Sequence, residues 1–369
     1  FNSMFKLLKK SNKSDARLGV LSTAHGKVST PFFMPIATKA AVKSMTAGEV
    51  KDLGAEILLS NTYHNFLRPG MEVIKKQGGL HEFMQTDLPI LTDSGGYQVF
   101  SLSNLRKIKG DDVEFRSHLD GSKQILNPKK VIDIQVTLGS DVMMVLDECV
   151  GLPSKREVAE LALERTTRWA KQAIDYKNKL NKKSAKVSKQ LVFGIVQGAD
   201  FKDLRLRSAK ELTDLNFDGY AVGGLAVGEP AKTMYKVLDY TVPALPDDKA
   251  RYLMGVGYPE NIIESVKRGI DMFDCVIPTR EARHGKLYVR KKTGFGKGFY
   301  ETLIITNAKF KNSKKIFADG RFGKYTYAYV HHLFKTQETL GTRLATMNNL
   351  EFYLTLMKDI RVAIKNNKF

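Results

Sequence analysis

The chain has 369 residues, 43% of them hydrophobic, and a net charge of +20 from 59 basic and 39 acidic residues. This composition is typical of a globular protein with a large core, and no run of about 18 uncharged apolar residues is present to span a membrane. Two cysteines, Cys149 and Cys275, exclude a disulfide framework and favour a reducing compartment, so we expect a cytoplasmic protein.

Short apolar runs recur along the chain, and helical patterns separate most of them. Runs that are brief and continuous are typical of strands buried on both faces of a parallel sheet. Eight such strands alternating with helices predict an α/β fold of the (β/α)8 TIM-barrel type. A doubly wound open sheet is the alternative, but no glycine-rich phosphate turn follows the first strand. The predicted strands are 31–36, 56–59, 89–92, 141–146, 191–196, 219–222, 251–254 and 272–276.

Helix start signals accompany these strands. Thr46 and Glu49 have the spacing of a capping box, and Asn127 followed by proline is typical of a helix N-terminus. The lysine-rich segment 177–189 after the longest helix is predicted to be a solvated loop. The predicted helices are 46–53, 127–138, 154–176, 203–215, 231–238 and 259–270.

Three regions lie outside a minimal barrel. Residues 1–16 are a lead, of which 1–3 resemble a tag remnant. Within the predicted barrel domain, 17–284, residues 100–126 are expected to form a β-hairpin insertion. Residues 285–369 are predicted to be a basic α+β subdomain packed on the barrel.

The positive charge is concentrated near the C-terminus. Residues 281–369 contain 18 basic and 6 acidic residues, a net +12. Such an excess indicates nucleic-acid binding, although a generally basic proteome is the alternative explanation.

Polar residues follow many of the predicted strands. In a (β/α)8 barrel these strand ends meet at one face, where active sites are built. Any single aspartate here is equally well explained as a helix cap, but several buried carboxylates together would repel one another. The sequence therefore predicts a site formed by Asp93, Asp147, Gln197, Gly224 and Asp274.

The residue types at this site indicate the chemistry. Asp147 and Gln197 can accept from N–H groups and donate to a carbonyl, which suits the edge of a heterocycle. Asp93 and Asp274 remain as a carboxylate pair for glycosyl transfer. Around them, Tyr97 and Met254 are predicted to sandwich a flat ring, with core filling as the alternative.

The segment from Asp271 to Arg280 adds a phosphate-binding element. Arg280 and Arg283 follow the Asp274 strand, and a guanidinium binds phosphate oxygens in pairs. An ordinary strand with a solvated basic end is the alternative for this segment alone. Together with the base-reading residues and the basic tail, the segment from Asp271 to Arg280 indicates cleavage of an N-glycosidic bond in a nucleic acid.

Nearly the whole chain, from Arg17 to about Lys365, resembles the bacterial type of tRNA-guanine transglycosylase. This family exchanges guanine at the wobble position of G-U-N anticodons for a 7-deazaguanine, on the route to queuosine. The resemblance rests on the motifs SNTYHNFLRPG (60–70), LTDSGGYQVFSL (91–102), LDECV (146–150), GIVQG (194–198), GYAVGGLAVGE (219–229), YLMGVG (252–257) and DMFDCVIPTR (271–280).

The resemblance implies a role for each matching residue. Asp274 would be the nucleophile that attacks C1′ of the ribose and forms a covalent intermediate, and Asp93 would be the general acid/base. The target nucleotide must be flipped out, because its glycosidic bond is inaccessible in a stacked loop. The matching positions are Asp147, Gln197 and Gly224 for the guanine edge, Tyr97 and Met254 for stacking, Leu225 for the aminomethyl group of preQ1, and Arg280 and Arg283 for the anticodon loop.

The implied partners are the tRNAs for aspartate, asparagine, histidine and tyrosine, with guanine and preQ1 as small substrates. Cys149 and Val227 match the pattern of enzymes that use preQ1, whereas enzymes that use queuine tend to have a smaller residue at the position of Val227. A queuine-inserting salvage enzyme remains the alternative. A non-catalytic tRNA-binding subunit and a small-molecule glycoside hydrolase are weaker alternatives, because both carboxylates and the basic tail are present.

One part of the family pattern is missing. The family carries a structural zinc held by a Cys-x-Cys-x-x-Cys cluster and a later histidine, and it forms homodimers through this region. The matching positions here predict a protein without zinc or another cofactor, and they are occupied by Phe317, Asp319, Phe322 and Asn348.

Overall fold

The computed structural model describes residues 4–101 and 106–369, and its centre is a closed barrel of eight parallel strands. The first strand is split at Pro35, so that Phe32–Met34 pairs with the eighth strand and Ile36–Ala37 with the second. The predicted (β/α)8 fold is therefore confirmed. After the first, the strands are Leu58–Ser60, Ile90–Thr92, Val142–Met144, Leu191–Val196, Gly219–Val222, Ala250–Leu253 and Met272–Asp274.

Glycines in neighbouring strands make room for aromatic rings inside the barrel wall. All six residues of Leu191–Val196 are buried. Phe193 lies opposite Gly219, where an added Cβ would stand 2.4 Å from its ring. An added Cβ at Gly194 would similarly approach the Phe217 ring to 2.8 Å. The continuous apolar runs of the sequence thus correspond to strands packed on both faces.

Helices connect the strands as predicted. Thr46 and Glu49 form the expected capping box, and Asn127 caps a helix that begins with Pro128. The helices are Ala47–Asp52, Thr62–Leu67, Met71–Lys76, Leu80–Met84, Gly96–Ser101, Pro128–Leu138, Arg156–Asn181, Ala185–Ser188, Lys202–Asp214, Ala231–Thr241, Pro259–Lys267, Ile277–Arg283, Tyr327–Lys335 and Thr339–Lys365, with short 3-10 turns at Val242–Ala244, Ala308–Phe310 and Phe317–Gly320.

The prediction of a solvated loop at 177–189 is wrong for most of that segment, because the long helix continues to Asn181 and Ala185–Ser188 forms a second, short helix. The helix Arg156–Asn181 continues through Lys177, whose side chain is buried. Its ammonium donates to Oδ1 of Asn181 at 2.6 Å and to the backbone oxygen of Gln190 at 2.9 Å. The lysine-rich composition suggested a loop, because composition alone does not reveal that the side chain of Lys177 is buried.

The insertion after the third strand contains one strand more than predicted. Asp112–Arg116 and Lys123–Leu126 form the expected hairpin, and Arg106–Lys109 adds a third antiparallel strand. A tight turn at Gly110, with a φ of +62°, reverses the chain between the first two strands. Residues 102–105 of the predicted insertion lie outside the described residues.

The N-terminal lead contributes to a small sheet. Phe5–Lys10 pairs antiparallel with Arg17–Thr23, which in turn pairs with Gly26–Thr30. Phe5 is buried in the main core, so this strand packs on the barrel.

The C-terminal residues contain both strands and helices. Lys286–Arg290 and Tyr300–Ile304 form an antiparallel pair, followed by turns and two helices. Phe352 and Tyr353 of the last helix belong to the main barrel core. Among the helices of residues 4–101 and 106–369, none is long and apolar enough to cross a membrane.

Phenylalanines occupy two of the four positions that match the family's zinc ligands, and they pack with other aromatic side chains. Phe317 is 1% exposed, and its ring centroid lies 6.5 Å from that of Phe322 and 5.9 Å from that of Tyr327. Asp319 is exposed, with a φ of +53°. Asn348 is buried and donates to the backbone oxygen of Tyr288 at 3.0 Å. No thiolate or imidazole stands at these four positions, so they do not fit a zinc ion.

Candidate active site

A cavity of about 520 Å³ opens at the carboxyl ends of the barrel strands. The structure brings most of the predicted site residues to its wall. Gln197 lies behind the wall, bonded to Asp147, and Arg283 is exposed on the helix beside the cavity. The predicted residues that line the cavity are Asp93, Tyr97, Asp147, Cys149, Gly224, Leu225, Val227, Met254, Asp274 and Arg280.

Asp274 ends the eighth strand and is 9% exposed. Its Oδ1 accepts hydrogen bonds from the Tyr252 hydroxyl at 2.6 Å and from the Gly255 N–H at 2.8 Å. Its Oδ2 accepts none from the described residues, and the residue lines the cavity, so one carboxylate oxygen is held while the other has no protein donor. Burial raises the pKa of Asp274, and these two hydrogen bonds oppose the increase.

Asp93 follows the third strand and is held by the start of a helix. The N–H of Thr62 donates to Oδ1 at 2.8 Å, and the Asn61 amide donates to Oδ2. Burial raises the pKa of Asp93 to about 7; the Thr62 hydrogen bond opposes this increase, and the negative charge of Asp274 adds to it. A carboxyl group with this pKa exchanges protons readily near neutral pH, as a general acid/base requires.

Asp147 and Gln197 form a hydrogen-bonded pair. The Gln197 amide donates to Oδ2 of Asp147 at 2.8 Å, and Ser94 donates to Oδ1 at 3.1 Å. Burial raises the pKa of Asp147 to about 6, against the opposing effect of both hydrogen bonds. The Oε1 of Gln197 is buried and has no hydrogen-bond partner among the described residues. The pair thus has acceptor and donor capacity that a ligand can use.

Two glycines allow these side chains to approach the backbone. A Cβ added at Gly96 would lie 2.0 Å from the Asp147 carboxylate, and one at Gly224 would lie 2.6 Å from Oε1 of Gln197. Gly224 also has a φ of +66°. A side chain at either position would displace the groups that line the pocket.

Apolar and sulfur-containing side chains complete the wall. Tyr97 is 57% exposed, Met254 is partly buried, and both face the cavity. Cys149 is buried, which raises the pKa of its thiol to about 12 and keeps it neutral. Glu229 accepts from the N–H groups of Ala226 at 2.5 Å and Val227 at 3.0 Å, and so fixes the loop after the sixth strand.

Basic side chains surround the cavity mouth. Arg280 lines it, and Arg283 stands three residues further along the helix Ile277–Arg283, where it is also exposed. Residues three apart share a helix side, so both guanidinium groups can contact one polyanion. His64 lines the cavity elsewhere, and burial lowers its pKa, as do the nearby charges of His118, Lys39 and Lys43.

Sequence reasoning missed several of these contributors. Tyr252 lies inside a strand, where it looks like a core residue. Asn61 has the pattern of a helix N-cap, a role that it also fulfils. His64 and Glu229 carried no strand-end signal. Their only signal was their position within the motifs at 60–70 and 219–229.

A group of potential metal ligands lies at the opposite end of the barrel, where His25, His81 and Asp141 meet. Oδ1 of Asp141 accepts from the N–H of His25 at 3.0 Å and bonds its Nδ1 at 2.9 Å, while Oδ2 accepts from the Ile90 N–H at 2.9 Å and lies 3.2 Å from His81. The imidazole rings stack with 3.6 Å between centroids. Stacked rings direct their lone pairs along parallel lines that do not meet at one ion. We therefore interpret this group as a hydrogen-bonded clamp.

Replacing Asp141 with asparagine should lower the free energy of unfolding by about 2 kcal/mol at neutral pH, because buried donors lose their acceptor. Burial raises the pKa of Asp141, but hydrogen bonds from His81, Ile90 and His25 outweigh it and lower the pKa below 3.8. The stabilisation is therefore present above that pH and is lost as the pH falls. Urea unfolding at neutral and acidic pH measures it. A zinc-dependent rise in the wild-type midpoint would show a metal site instead.

Comparison with known proteins points to one family. The sequence matches the family model described as queuine tRNA-ribosyltransferase over residues 11–369. A queuine tRNA-ribosyltransferase of Pelotomaculum thermopropionicum is 50% identical over 368 residues, which cover 99% of this chain and 95% of that protein. Proteins of the same name from Caldanaerobacter subterraneus subsp. tengcongensis and Staphylococcus aureus are 49% and 48% identical, over 99% of this chain and 94% and 93% of theirs.

Proposed function

The chain belongs to the queuine tRNA-ribosyltransferase family, and from this membership we propose a double-displacement mechanism through Asp274. Its activity is that of a tRNA-guanine transglycosylase, a pentosyltransferase of queuosine biosynthesis. The observation that supports the mechanism best is the placement of Asp274 and Asp93 at one cavity, beside a purine-reading pair.

In the first step, an oxygen of Asp274 attacks C1′ of nucleotide 34 and the bond from C1′ to guanine breaks. Asp93 donates a proton to the departing guanine. The RNA is then held as an ester on Asp274. In the second step, the incoming base attacks C1′, Asp93 accepts its proton and the ester bond breaks. The free Oδ2 of Asp274 and the pKa of Asp93 near 7 support these assignments.

Guanine recognition is assigned to the pocket wall. Asp147 accepts from N1–H and the 2-amino group, while the Gln197 amide and the Gly224 N–H donate to O6. The Gln197 amide nitrogen has two N–H donors, so it can keep one hydrogen bond to Asp147, which it contacts at 2.8 Å, and donate the other to O6. Tyr97 and Met254 stack on the two faces of the base.

We assign preQ1 as the incoming base. Cys149 and Val227 line the cavity, and we expect them to leave too little room for a substituent larger than the aminomethyl group of preQ1. Leu225 would offer its carbonyl to the aminomethyl group. Competing preQ1 and queuine for release of labelled guanine from tRNA should show preQ1 at least about tenfold preferred. A preference for queuine would show instead that the protein is a queuine-inserting salvage enzyme.

The RNA contacts are assigned to the basic rim. Arg280 and Arg283 would hold phosphates of an anticodon loop with G-U-N sequence, as in the tRNAs for aspartate, asparagine, histidine and tyrosine. Both guanidinium groups are exposed, and the only ion pair that Arg280 makes within the described residues is at 3.8 Å from Glu281. They therefore remain available to a polyanion.

We propose that aromatic packing replaces the family's zinc. Protein purified without chelator should contain less than about 0.1 zinc per chain, and chelators should leave its melting temperature unchanged. Phe317→Ala should lower the free energy of unfolding by about 3 kcal/mol, because it empties a buried aromatic site. One tightly held zinc per chain would contradict the proposal.

A homodimer through the same subdomain is proposed from the family resemblance. Tyr329 is exposed there and its ring stacks on Tyr325 with 5.3 Å between centroids. Mass measurement in solution tests this assembly. A cytoplasmic location is proposed because the substrate is tRNA and both cysteines are free thiols.

A further inference from the structure

Arg205 is a fully buried arginine behind the cavity wall, at 0% exposure in the helix Lys202–Asp214. Its partners are backbone carbonyls. Nε donates to Ala199 at 2.7 Å, and Nη1 donates to Val196 at 2.9 Å and to Gly223 at 2.8 Å.

Within the described ranges Arg205 forms no ion pair with a carboxylate. Burial lowers the pKa of Arg205 to about 10, and the charges of Glu229 and Asp200 oppose this decrease only in part. A buried guanidinium without a carboxylate in direct contact is costly, so its presence behind the wall calls for an explanation.

The three carbonyls belong to the segments that present the base-reading groups. Val196 directly precedes Gln197, and Gly223 directly precedes Gly224. The N–H of Gly223 also donates to the Val196 carbonyl at 3.0 Å. One planar guanidinium therefore joins the ends of the fifth and sixth barrel strands at the point where the pocket begins.

Two unpaired polar atoms lie close to Gly224. Nη2 of Arg205 and Oε1 of Gln197 are both buried and have no hydrogen-bond partner among the described residues. A Cβ built on Gly224 would stand 3.5 Å from Nη2 and 2.6 Å from Oε1. The positive charge of Arg205 therefore lies directly behind the part of the wall that faces O6 of the purine in the proposed complex.

We propose that Arg205 is a positioning residue that fixes Gln197 and Gly224 at the spacing required to recognise a 6-oxo purine. This inference rests on the proposed function. Its physical basis is the guanidinium fork, which holds three carbonyls at fixed angles and brings positive charge behind the donors to O6. Lysine has one nitrogen and cannot reproduce the fork. Without it, the two strand ends lose their common anchor and the O6 contacts lose their alignment.

The test compares two purines with different hydrogen-bonding groups at position 6. Guanine accepts hydrogen bonds at O6 and carries a hydrogen on N1, whereas 2,6-diaminopurine presents a 6-amino group and has no hydrogen on N1. Both are measured as inhibitors of labelled-guanine exchange into tRNA, with wild-type protein, Arg205→Lys and Arg205→Met. The wild type should favour guanine by roughly 100-fold, because with 2,6-diaminopurine the donors facing O6 would lose their acceptor and Asp147 would lose the N1–H donor. Arg205 makes no hydrogen bond to Asp147, so a change of this ratio in the Arg205 variants reports on the O6 contacts. Both variants should lower this ratio at least about tenfold, with the KM for tRNA within about twofold.

The matched control is Arg361→Met. Arg361 also donates to backbone carbonyls, of Pro31 at 2.9 Å and Ser29 at 3.3 Å, but it lies on the last helix, outside the cavity wall. The Arg361→Met variant should have a lower free energy of unfolding, but it should favour guanine over 2,6-diaminopurine by the same ratio as the wild type. A ratio within about twofold of wild type in the Arg205 variants would overturn the proposal. Absence of exchange by the wild type would instead refute the proposed function. Arg205→Lys keeps the charge, so it supplies the result if Arg205→Met does not fold.

Discussion

Replacing Asp274 with asparagine should lower kcat for base exchange by on the order of 10⁴-fold or more, because the amide oxygen is a poor nucleophile. The barrel should stay folded. Asparagine has the same size, and its oxygen can still accept from Tyr252 and Gly255, which now bond Oδ1 at 2.6 and 2.8 Å. Burial raises the pKa of Asp274, so a neutral side chain also removes a desolvation cost, and we expect stability equal to or slightly above that of the wild type.

The measurement is single-turnover release of labelled guanine from tRNA, with circular dichroism to verify folding. Tyr252→Phe is the matched control, because it keeps the carboxylate and removes one hydrogen bond to it. This variant should lose only about tenfold in kcat. Exchange by Asp274→Asn at the wild-type rate would show that another group attacks the ribose.

Replacing Asp93 with asparagine should lower kcat by about 10²- to 10⁴-fold, the usual contribution of a general acid or base. Unlike the Asp274 variant, it retains the nucleophile, so covalent complex should still accumulate slowly. The wild-type rate should be highest near pH 7, because burial raises the pKa of Asp93 to about 7 and both protonation states are needed in turn. In Asp93→Asn this pH dependence should flatten. An unchanged pH profile would assign the proton transfer elsewhere.

The raised pKa of Asp93 also affects the free energy of unfolding. Its pH dependence is opposite to that of an aspartate whose pKa is lowered on folding. The folded pKa of about 7 lies above the ordinary value of 3.8, so the folded state binds more protons between these values. Stability should therefore fall as the pH rises from about 4 to 7, and should level off above that range. Asp93→Asn removes this contribution. Urea unfolding of the variant should show a shallower decline over the same range, by about 4 kcal/mol, because the pKa of Asp93 rises from 3.8 to about 7 on folding.

The barrel was predictable because its strands are short, continuous and apolar, as Leu191–Val196 shows. The site was predictable for the same reason: parallel strands bring their carboxyl ends to one face, so Asp93, Asp147 and Asp274 meet once the strands are placed. The separate roles proposed for Asp93 and Asp274 came from the resemblance to the family, because strand placement alone identifies them only as a pair of carboxylates.

Other features depend on tertiary contacts that the sequence pattern does not reveal. Lys177 appears in a solvated run but is buried, and Arg205 looks like one more charged residue of a surface helix. Tyr252 looks like a core residue within a strand, although its hydroxyl bonds Asp274. The insertion strand Arg106–Lys109 carries alternate lysines, which masked its strand character. In each case the role depends on contacts in the folded protein that the residue type and its sequence pattern do not reveal.

The most direct test of the mechanism is mass spectrometry of the protein after incubation with an anticodon stem-loop RNA and denaturation. A nucleophilic Asp274 predicts that the peptide containing residues 271–280 carries the RNA minus one guanine, joined through Asp274. The adduct should disappear when guanine or preQ1 is added, and should be absent in Asp274→Asn. An adduct on Asp93 or another residue, or normal exchange without any adduct, would contradict the double-displacement mechanism.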